Sequence, residues 1–325
     1  MTDKPLVSVL VLAFNSSATI LQTLDSILDQ TYPNIEVIIH DDCSTDATYN
    51  IAENWLIKNS ANLNRCSIIG TDLNRGLVSS ILRAFDISTG SWIKVIAADD
   101  VLREDALDLF MREADANPGR KWFFSLCTPF SCEIEHICQI SHLPSSPELD
   151  FVRFLSSKNN TYLLKLAISR NVYPAPSSFF SRDFFQNNCS SLSGFIHMED
   201  YPLWVSALIK GYTPIWITAP LVGYRQGSNT LSSPNQFIPS RLIPDLLRMP
   251  TLFTWLDHPV LRIYAEFARA RIAFAQLSYS DRLTLATLYK LSRRAKPILA
   301  RIYRSFCVCK RFIIRSGDRS SRITF

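Results

Sequence analysis

Residues 7–14 read VSVLVLAF, a nearly continuous apolar run rich in β-branched side chains. A strand with one wet face would alternate polar and apolar residues. This one needs cover on both faces, as in a parallel sheet. Asn15, Ser16 and Ser17 then supply turn and N-cap chemistry, and Ile20, Leu21, Leu24, Ile27 and Leu28 recur at three- and four-residue steps. Tyr32-Pro33-Asn34 ends that helix, residues 35–39 (IEVII) give a second strand, and a polar loop from His40 leads into a helix at about Asp46. Further strands are expected at 66–69, 92–97 and 121–128, with helices at 77–88 and 103–116. Strands alternating with such helices predict an α/β fold, a mostly parallel sheet flanked by helices.

The chain has 325 residues, enough for one large α/β domain or two smaller ones, and no internal repeat. Beyond 130 the pattern is broken by Pro144, Pro147, Pro174 and Pro176, with helical stretches at 148–169 and 200–210 and strand-like pieces at 214–217 and 221–225. From 236 the chain turns helical, so a boundary is expected there, between residues 1–235 and a helical C-terminal region 236–325. No run of about 18 apolar residues occurs, and the N-terminus lacks the basic-then-apolar layout of a signal peptide. A cytoplasmic location is expected. The eight cysteines should then be reduced thiols. Cys127, Cys132, His136, Cys138 and His142 are zinc-ligand types, but their spacing matches no common zinc module.

The net charge of +5 is uneven: from Arg282 to Phe325 there are twelve Lys or Arg and one acid, Asp318. Across 282–313, Leu283, Leu288, Leu291, Ile298, Ile302 and Phe306 fall at near-helical spacing among Lys290, Arg293, Arg294, Lys296, Arg301 and Arg304. Such a helix suits peripheral contact with an anionic membrane, here the inner face of the plasma membrane; alternatively it packs on the domain with a solvated basic face. No nucleic-acid recognition motif accompanies the charge.

Three acidic pairs stand out. Asp99 and Asp100 close the strand WIKVIAA. Adjacent carboxylates repel unless a cation or hydrogen-bond donors compensate, and a divalent ion shared with a diphosphate would do so. Equally, Asp100 would serve as N-cap of the helix after it. Asp41 and Asp42 follow the second strand, where they could accept hydrogen bonds from a base or ribose, or simply solvate the loop. Glu199 and Asp200 precede the helix from Tyr201, as helix-dipole partners or with one as general base. Ligands of parallel sheets bind beyond the carboxyl ends of the strands, where Asn15, Asp41-Asp42 and Asp99-Asp100 lie.

VSVLVLAFNSSATILQTLDSILDQTYPNIEVIIHDDCSTDAT resembles the opening of the family 2 glycosyltransferases, which have the GT-A fold. The corresponding pieces are Phe14-Asn15, Gln30-Thr31-Tyr32-Pro33, Glu36 and Asp41 to Asp46. The likeness continues through Asn74-Arg75-Gly76-Leu77 and Thr89 to Ile93 to Ala98-Asp99-Asp100, then Met198 to Trp204, Gly211-Tyr212 and Tyr224-Arg225, and covers about residues 5–230. The sequence departs from the pattern at Cys43 (usually Gly), Ala97 (often Asp), Leu82 (often Asn) and Gln226, near which a His is usual.

The resemblance implies an inverting, hexosyl-type transferase of bacterial polysaccharide or O-antigen biosynthesis. It would take a nucleotide-sugar donor, most naturally a UDP-sugar, and a glycan or lipid-linked acceptor. Residues 1–235 would be its GT-A domain. Phe14 and Asp42 would lie against the base, with Asn15, Asp41 and Arg75 in the same donor-binding group. Asp99 would meet the ribose or the metal, and Asp100 would ligate Mn²⁺ or Mg²⁺ on the diphosphate. Asp200 would be the general base, with Glu199 supporting it. Two other classes compete: a sugar nucleotidyltransferase, which would more naturally carry a Gly-rich loop where Asn15-Ser16-Ser17 stands, and a non-catalytic glycan- or membrane-binding relative.

Overall fold

The apolar runs become strands buried on both faces. In the computed structural model, which describes residues 4–130, 146–169, 171–226, 240–249 and 252, β1 (Val7–Ala13), β2 (Ile35–Asp41), β3 (Arg65–Gly70) and β4 (Trp92–Ala97) pair in parallel in the order β3-β2-β1-β4. The crossovers are α1 (Ile20–Leu28), α2 (Thr48–Asn59) and α3 (Leu77–Ile87). Along β1 the side chains alternate between two cores. Val7, Val9 and Val11 join Ile20, Leu24 and Ile27 of α1 on one face; Leu10 and Leu12 join Val78, Ile81 and Phe85 of α3 on the other. Each such side chain stabilises the fold by about 1.5–3 kcal/mol on full burial.

Past β4 the sheet is mixed. β5 (Val101–Leu102), α4 (Ala106–Ala116) and β6 (Trp122–Phe130) come first, then α5 (Ser146–Ser156) and α6 (Asn160–Ser169). β7 (Ser178–Ser181) follows, then α7 (Arg182–Asn188), α8 (Tyr201–Ile209) and β8 (Ile215–Arg225). β7 inserts antiparallel between β4 and β6, β8 runs parallel to β6, and β5 pairs antiparallel with β8 at the edge. Aromatic rings fill this half: Trp122 stacks on Trp204 at 5.1 Å and Phe124 on Tyr173 at 5.3 Å.

Several boundaries differ from the expected ones, each for a local reason. The two pieces at 214–217 and 221–225 are one strand, because the break at Pro220 is absorbed as a register irregularity opposite Leu126. The helix expected from Arg103 begins at Ala106, because Val101 and Leu102 pair with Gly223 and Val222 instead. Arg103 is itself held by Asp105 (3.0 Å) and the carbonyl of Pro220 (3.1 Å). The helix expected at 148–169 is two, with Asn159 Oδ1 accepting from the Tyr162 amide (2.9 Å) at the start of the second. β7 is four residues long and carries no periodicity to read.

Of the expected C-terminal region, a turn at Ser240–Leu242 and α9 (Ile243–Arg248) are described. The basic stretch 282–313 lies outside the described residues, as do Cys132, His136, Cys138 and His142. No helix among the described residues is long and apolar enough to cross a membrane.

One buried polar centre locks the crossover from α3 into β4. Glu36 is fully buried on β2. It accepts from Ser8 Oγ and the Thr89 amide, and also from Thr89 Oγ1 (2.9 Å) and the Gly90 amide (2.8 Å). Gly90 allows this approach, since a Cβ there would lie 2.5 Å from Ser8 Oγ. Burial alone would raise the Glu36 pKa, but the bonds from Ser8, Thr89 and Gly90 bring it below the usual range. Its stabilisation is therefore present above the ordinary carboxylate pKa and lost as pH falls through the depressed folded value. Glu36→Gln turns an amide toward donors that already point at it. It should lower stability by about 2–4 kcal/mol at neutral pH, with the difference shrinking in acid; urea unfolding at both pH values reads this out.

Candidate active site

In the parallel half, Ala13 pairs with Asp41 and Leu12 with Ala97, so β1, β2 and β4 end level with one another. The residues after each strand therefore emerge at one sheet edge. A cleft of about 500 Å³ opens there. Phe14, Asp42, Asp99, Asp100, Glu199 and Asp200 all line it, with Asn171, His197 and Arg241.

Asp100 is 1% exposed. It does not cap α4, which starts six residues later with Asp105 in the cap position. Its Oδ1 accepts from the Arg225 amide (2.9 Å), whereas its Oδ2 is buried and has no partner. Burial and then the neighbouring Asp99 hold the Asp100 pKa well above the carboxylate range. The Arg225 amide, Lys94 and the Arg225 guanidinium oppose this only in part. Asp99 is half-buried and raised by burial too, against the Arg225 charge. Arg225 straps the pair, with Nε on the Asp99 carbonyl (2.8 Å) and Nη2 on Gln22 Oε1. Lys94 lies beneath on β4, fully buried. Its ammonium donates to the carbonyls of Val95 (3.0 Å), Pro176 and Ser178 (3.3 Å), and burial lowers its pKa to about 8 against the pull of Cys127 and Asp100.

The first two loops are laced together. Asn15, at φ 49°, accepts the Thr45 amide on its side chain (2.8 Å) and donates its own amide to Ser44 Oγ (2.8 Å). Asp41 accepts from the Ser44 amide (3.0 Å) and hydroxyl. Asp42 Oδ1 accepts from the Arg75 amide (2.9 Å) and Oδ2 from the Gly76 amide (2.7 Å). Asn15, Asp41 and Arg75 thus shape the rim without lining the cleft, and Arg75 contributes its backbone while its side chain is exposed. Gly76 has φ 85°, and a Cβ there would lie 2.6 Å from the Ile196 carbonyl oxygen. Phe14 stands at the rim, 47% exposed.

Asp200 does cap α8, with Oδ1 accepting from the Tyr201 amide (2.6 Å), and its Oδ2 accepts from Asn171 Nδ2 (2.7 Å). Burial raises its pKa, and these two bonds hold the rise back. Glu199 is raised further, by burial first, then by Asp200 and Asp245. Burial thus raises both acids of the pair, and donors from Asn171 and the Tyr201 amide offset it at Asp200.

Asn171, Arg241 and Asp245 were not singled out in the sequence. Arg241 was legible as a lone cation after a Pro-rich stretch, but nothing tied it to the sheet edge. Among the described residues, no group of three or more His, Cys, Asp or Glu side chains is arranged to hold a metal ion. A divalent ion that takes most of its ligands from a diphosphate and water needs only one or two carboxylates. The buried, unpartnered Oδ2 of Asp100 beside Asp99 fits that requirement.

The description "Glycosyl transferase family 2" matches residues 8–120. The chain is 30% identical to the UDP-Glc:alpha-D-GlcNAc-diphosphoundecaprenol beta-1,3-glucosyltransferase WfaP of Escherichia coli, over 63% of this chain and 71% of that one. Among solved structures it is similar to S. aureus TarS 1–349 in complex with UDP-GlcNAc, with a TM-score of 0.56, 16% identity, and coverage of 84% and 73%. It is also similar to the mannosyltransferase PcManGT of Pyrobaculum calidifontis in complex with GDP-Man and Mn²⁺, with a TM-score of 0.51, 20% identity, and coverage of 96% and 86%. The fold is that of these GT-A enzymes.

The raised pKa of Glu199 has a measurable consequence. In an acid whose folded pKa exceeds its unfolded value, ionisation opposes folding, and the penalty grows as pH rises above the ordinary carboxylate range. Glu199→Gln removes it. The variant should melt higher than the parent at pH 7, and the gap should close as pH falls to about 4. Equal melting temperatures across that range would contradict the assignment.

Proposed function

The chain belongs to glycosyltransferase family 2, and from that premise we propose that it moves a sugar from a nucleoside diphosphate sugar to a hydroxyl of a glycan or lipid-linked acceptor, with inversion, during bacterial surface-polysaccharide synthesis. UDP-sugars stand first among the donors, as in the names of WfaP and the TarS complex; GDP-Man in the PcManGT complex keeps guanine in the comparison. The observation that carries this reading is the shared cleft of Asp42, Asp100 and Asp200, three carboxylates 58 or more positions apart in sequence.

Each residue's part follows from its surroundings. The exposed ring of Phe14 offers a flat apolar wall for a base. Asp42 Oδ1 accepts from the Arg75 amide and the Thr71 hydroxyl (3.5 Å), whereas Oδ2, with the Gly76 amide, keeps a further lone pair for the ring N–H of uracil or guanine. Arg241 brings a positive charge to a cleft lined by five carboxylates, where a diphosphate must sit. Asp100, with Asp99 beside it, would hold Mn²⁺ or Mg²⁺, which when bound would stabilise the departing nucleoside diphosphate as a Lewis acid. Asp200 takes the proton of the acceptor hydroxyl as its oxygen bonds to the anomeric carbon. The bond from that carbon to the diphosphate oxygen breaks on the opposite side, which inverts the centre. Asn171 and the Tyr201 amide hold the Asp200 carboxylate in one orientation.

The test is a panel of UDP-, GDP- and dTDP-sugars with Mn²⁺, followed by thermal shift and donor hydrolysis. We expect stabilisation by one nucleotide class, lost in Asp100→Ala. Asp200→Asn should bind that nucleotide with affinity unchanged within about two-fold while turnover falls by about 100-fold or more. A protein that responds to no nucleotide, or an Asp200→Asn variant that loses binding and turnover together, would overturn the assignment.

A further inference from the structure

Asp245 sits in the first turn of α9, after Ile243-Pro244, where a carboxylate ordinarily serves its own helix terminus. Here it is 2% exposed and turned to another element. It accepts from three consecutive amides: Ile196 (3.0 Å to Oδ1, 3.2 Å to Oδ2), His197 (2.6 Å) and Met198 (2.9 Å). Successive amides converging on one anion form a nest, which fixes the backbone that supplies them. The next two residues in the chain are Glu199 and Asp200.

The same segment is held from its other side. The Ile196 carbonyl accepts from the Val78 amide (3.0 Å) in the first turn of α3, next to Gly76, whose amide goes to Asp42. Arg248, one turn along α9, donates from Nε to the Ser193 carbonyl (3.2 Å) and lies over the Phe195 ring. Gly194, at φ 79°, leaves room for it, because a Cβ there would lie 2.2 Å from the guanidinium. Residues 193–198 are thus clamped between α3 and α9.

We propose that Asp245 is a positioning residue: by gathering the amides of 196–198 it holds Glu199 and Asp200 at the cleft, so that the segment 240–249 belongs to the catalytic apparatus. This extends the apparatus well beyond the family match at 8–120. It rests on the reading of Asp200 as the proton acceptor. Asp245 touches neither donor nor acceptor in this account and acts only through the backbone.

The test compares Asp245→Ala and Asp245→Asn with the parent, using amide hydrogen exchange, UDP-Mn²⁺ binding and UDP-glucose hydrolysis. In Asp245→Ala, exchange of the 196–198 amides should quicken by about ten-fold or more while that of β1 and β4 stays as it was. UDP-Mn²⁺ affinity should hold within about two-fold as kcat falls by about ten-fold or more, and Asp245→Asn, which keeps an acceptor oxygen, should recover most of both. Unchanged exchange at 196–198 in Asp245→Ala overturns the clamp. So does a loss of nucleotide affinity that parallels the loss of kcat, or an Asn variant no better than Ala. If Asp245→Ala fails to fold, the Asn variant decides: slow exchange at 196–198 with near-parental kcat supports the clamp, and fast exchange with parental kcat overturns it. Binding and hydrolysis are read with GDP and GDP-mannose, or dTDP and dTDP-glucose, where the parent answers to those instead of UDP; should it respond to none, the reading of the site fails while the exchange comparison still decides whether Asp245 holds 196–198.

Discussion

A carboxylate oxygen buried without a partner, Oδ2 of Asp100, is the constraint around which this domain is arranged. An isolated buried anion is unfavourable by several kcal/mol, and the adjacent Asp99 makes it worse. The fold answers with half-measures: one amide from Arg225, a guanidinium strapped to the Asp99 carbonyl, and the ammonium of Lys94. Lys94 is not a full counter-charge, since its protons go to the carbonyls of Val95, Pro176 and Ser178. Burial and the adjacent Asp99 therefore leave the Asp100 carboxyl raised well above the usual range.

The rest of the cleft is built so that this position stays fixed. Thr23 donates to the Asp100 carbonyl (2.7 Å) and Thr19 to the Ala98 carbonyl (2.9 Å), tying α1 to the end of β4. Asn15 ties the first loop to the second, and Asp42 ties the second to the start of α3. Hence the polar residues at the strand ends do two jobs. They terminate the strands and hold the neighbouring loops in place, which lets a cleft lined by loops be preorganised.

The parallel half was legible because burial on both faces leaves a mark in sequence: β1 and β2 read as strands, and the acidic pairs fall where such strands end. Residue type in a loop does not say which atom is used. Asp41 carries the same carboxylate as Asp42, and Asn15 and Arg75 are polar loop residues too, yet none of the three lines the cleft. Even Asp42 binds backbone first. The antiparallel half was harder for a physical reason: β7 has four residues, too few for a period, and β8 contains a proline at its irregularity. Asn171, Arg241 and Asp245 lie beside or within helical stretches, but their parts depend on tertiary contacts that no local pattern encodes. At Glu199-Asp200 the sequence left a helix cap and a general base open, and the structure shows the cap: Asp200 caps α8 with one oxygen while the other accepts from Asn171.

The mixed topology now has a reason. A purely parallel sheet places its polar loops at one edge, which here brings together Phe14, Asp42, Asp99 and Asp100. Insertion of β7 next to β4, with α8 following it, carries Glu199 and Asp200 to the same cleft. The two acidic pairs then differ in kind. In the strand-end pair, the more buried acid, Asp100, has one oxygen on the Arg225 amide and the other without a partner. In the helix-cap pair, burial raises both acids and two donors orient Asp200. A single sheet thereby brings two acidic pairs to one cleft, each tuned by the hydrogen-bond donors around it.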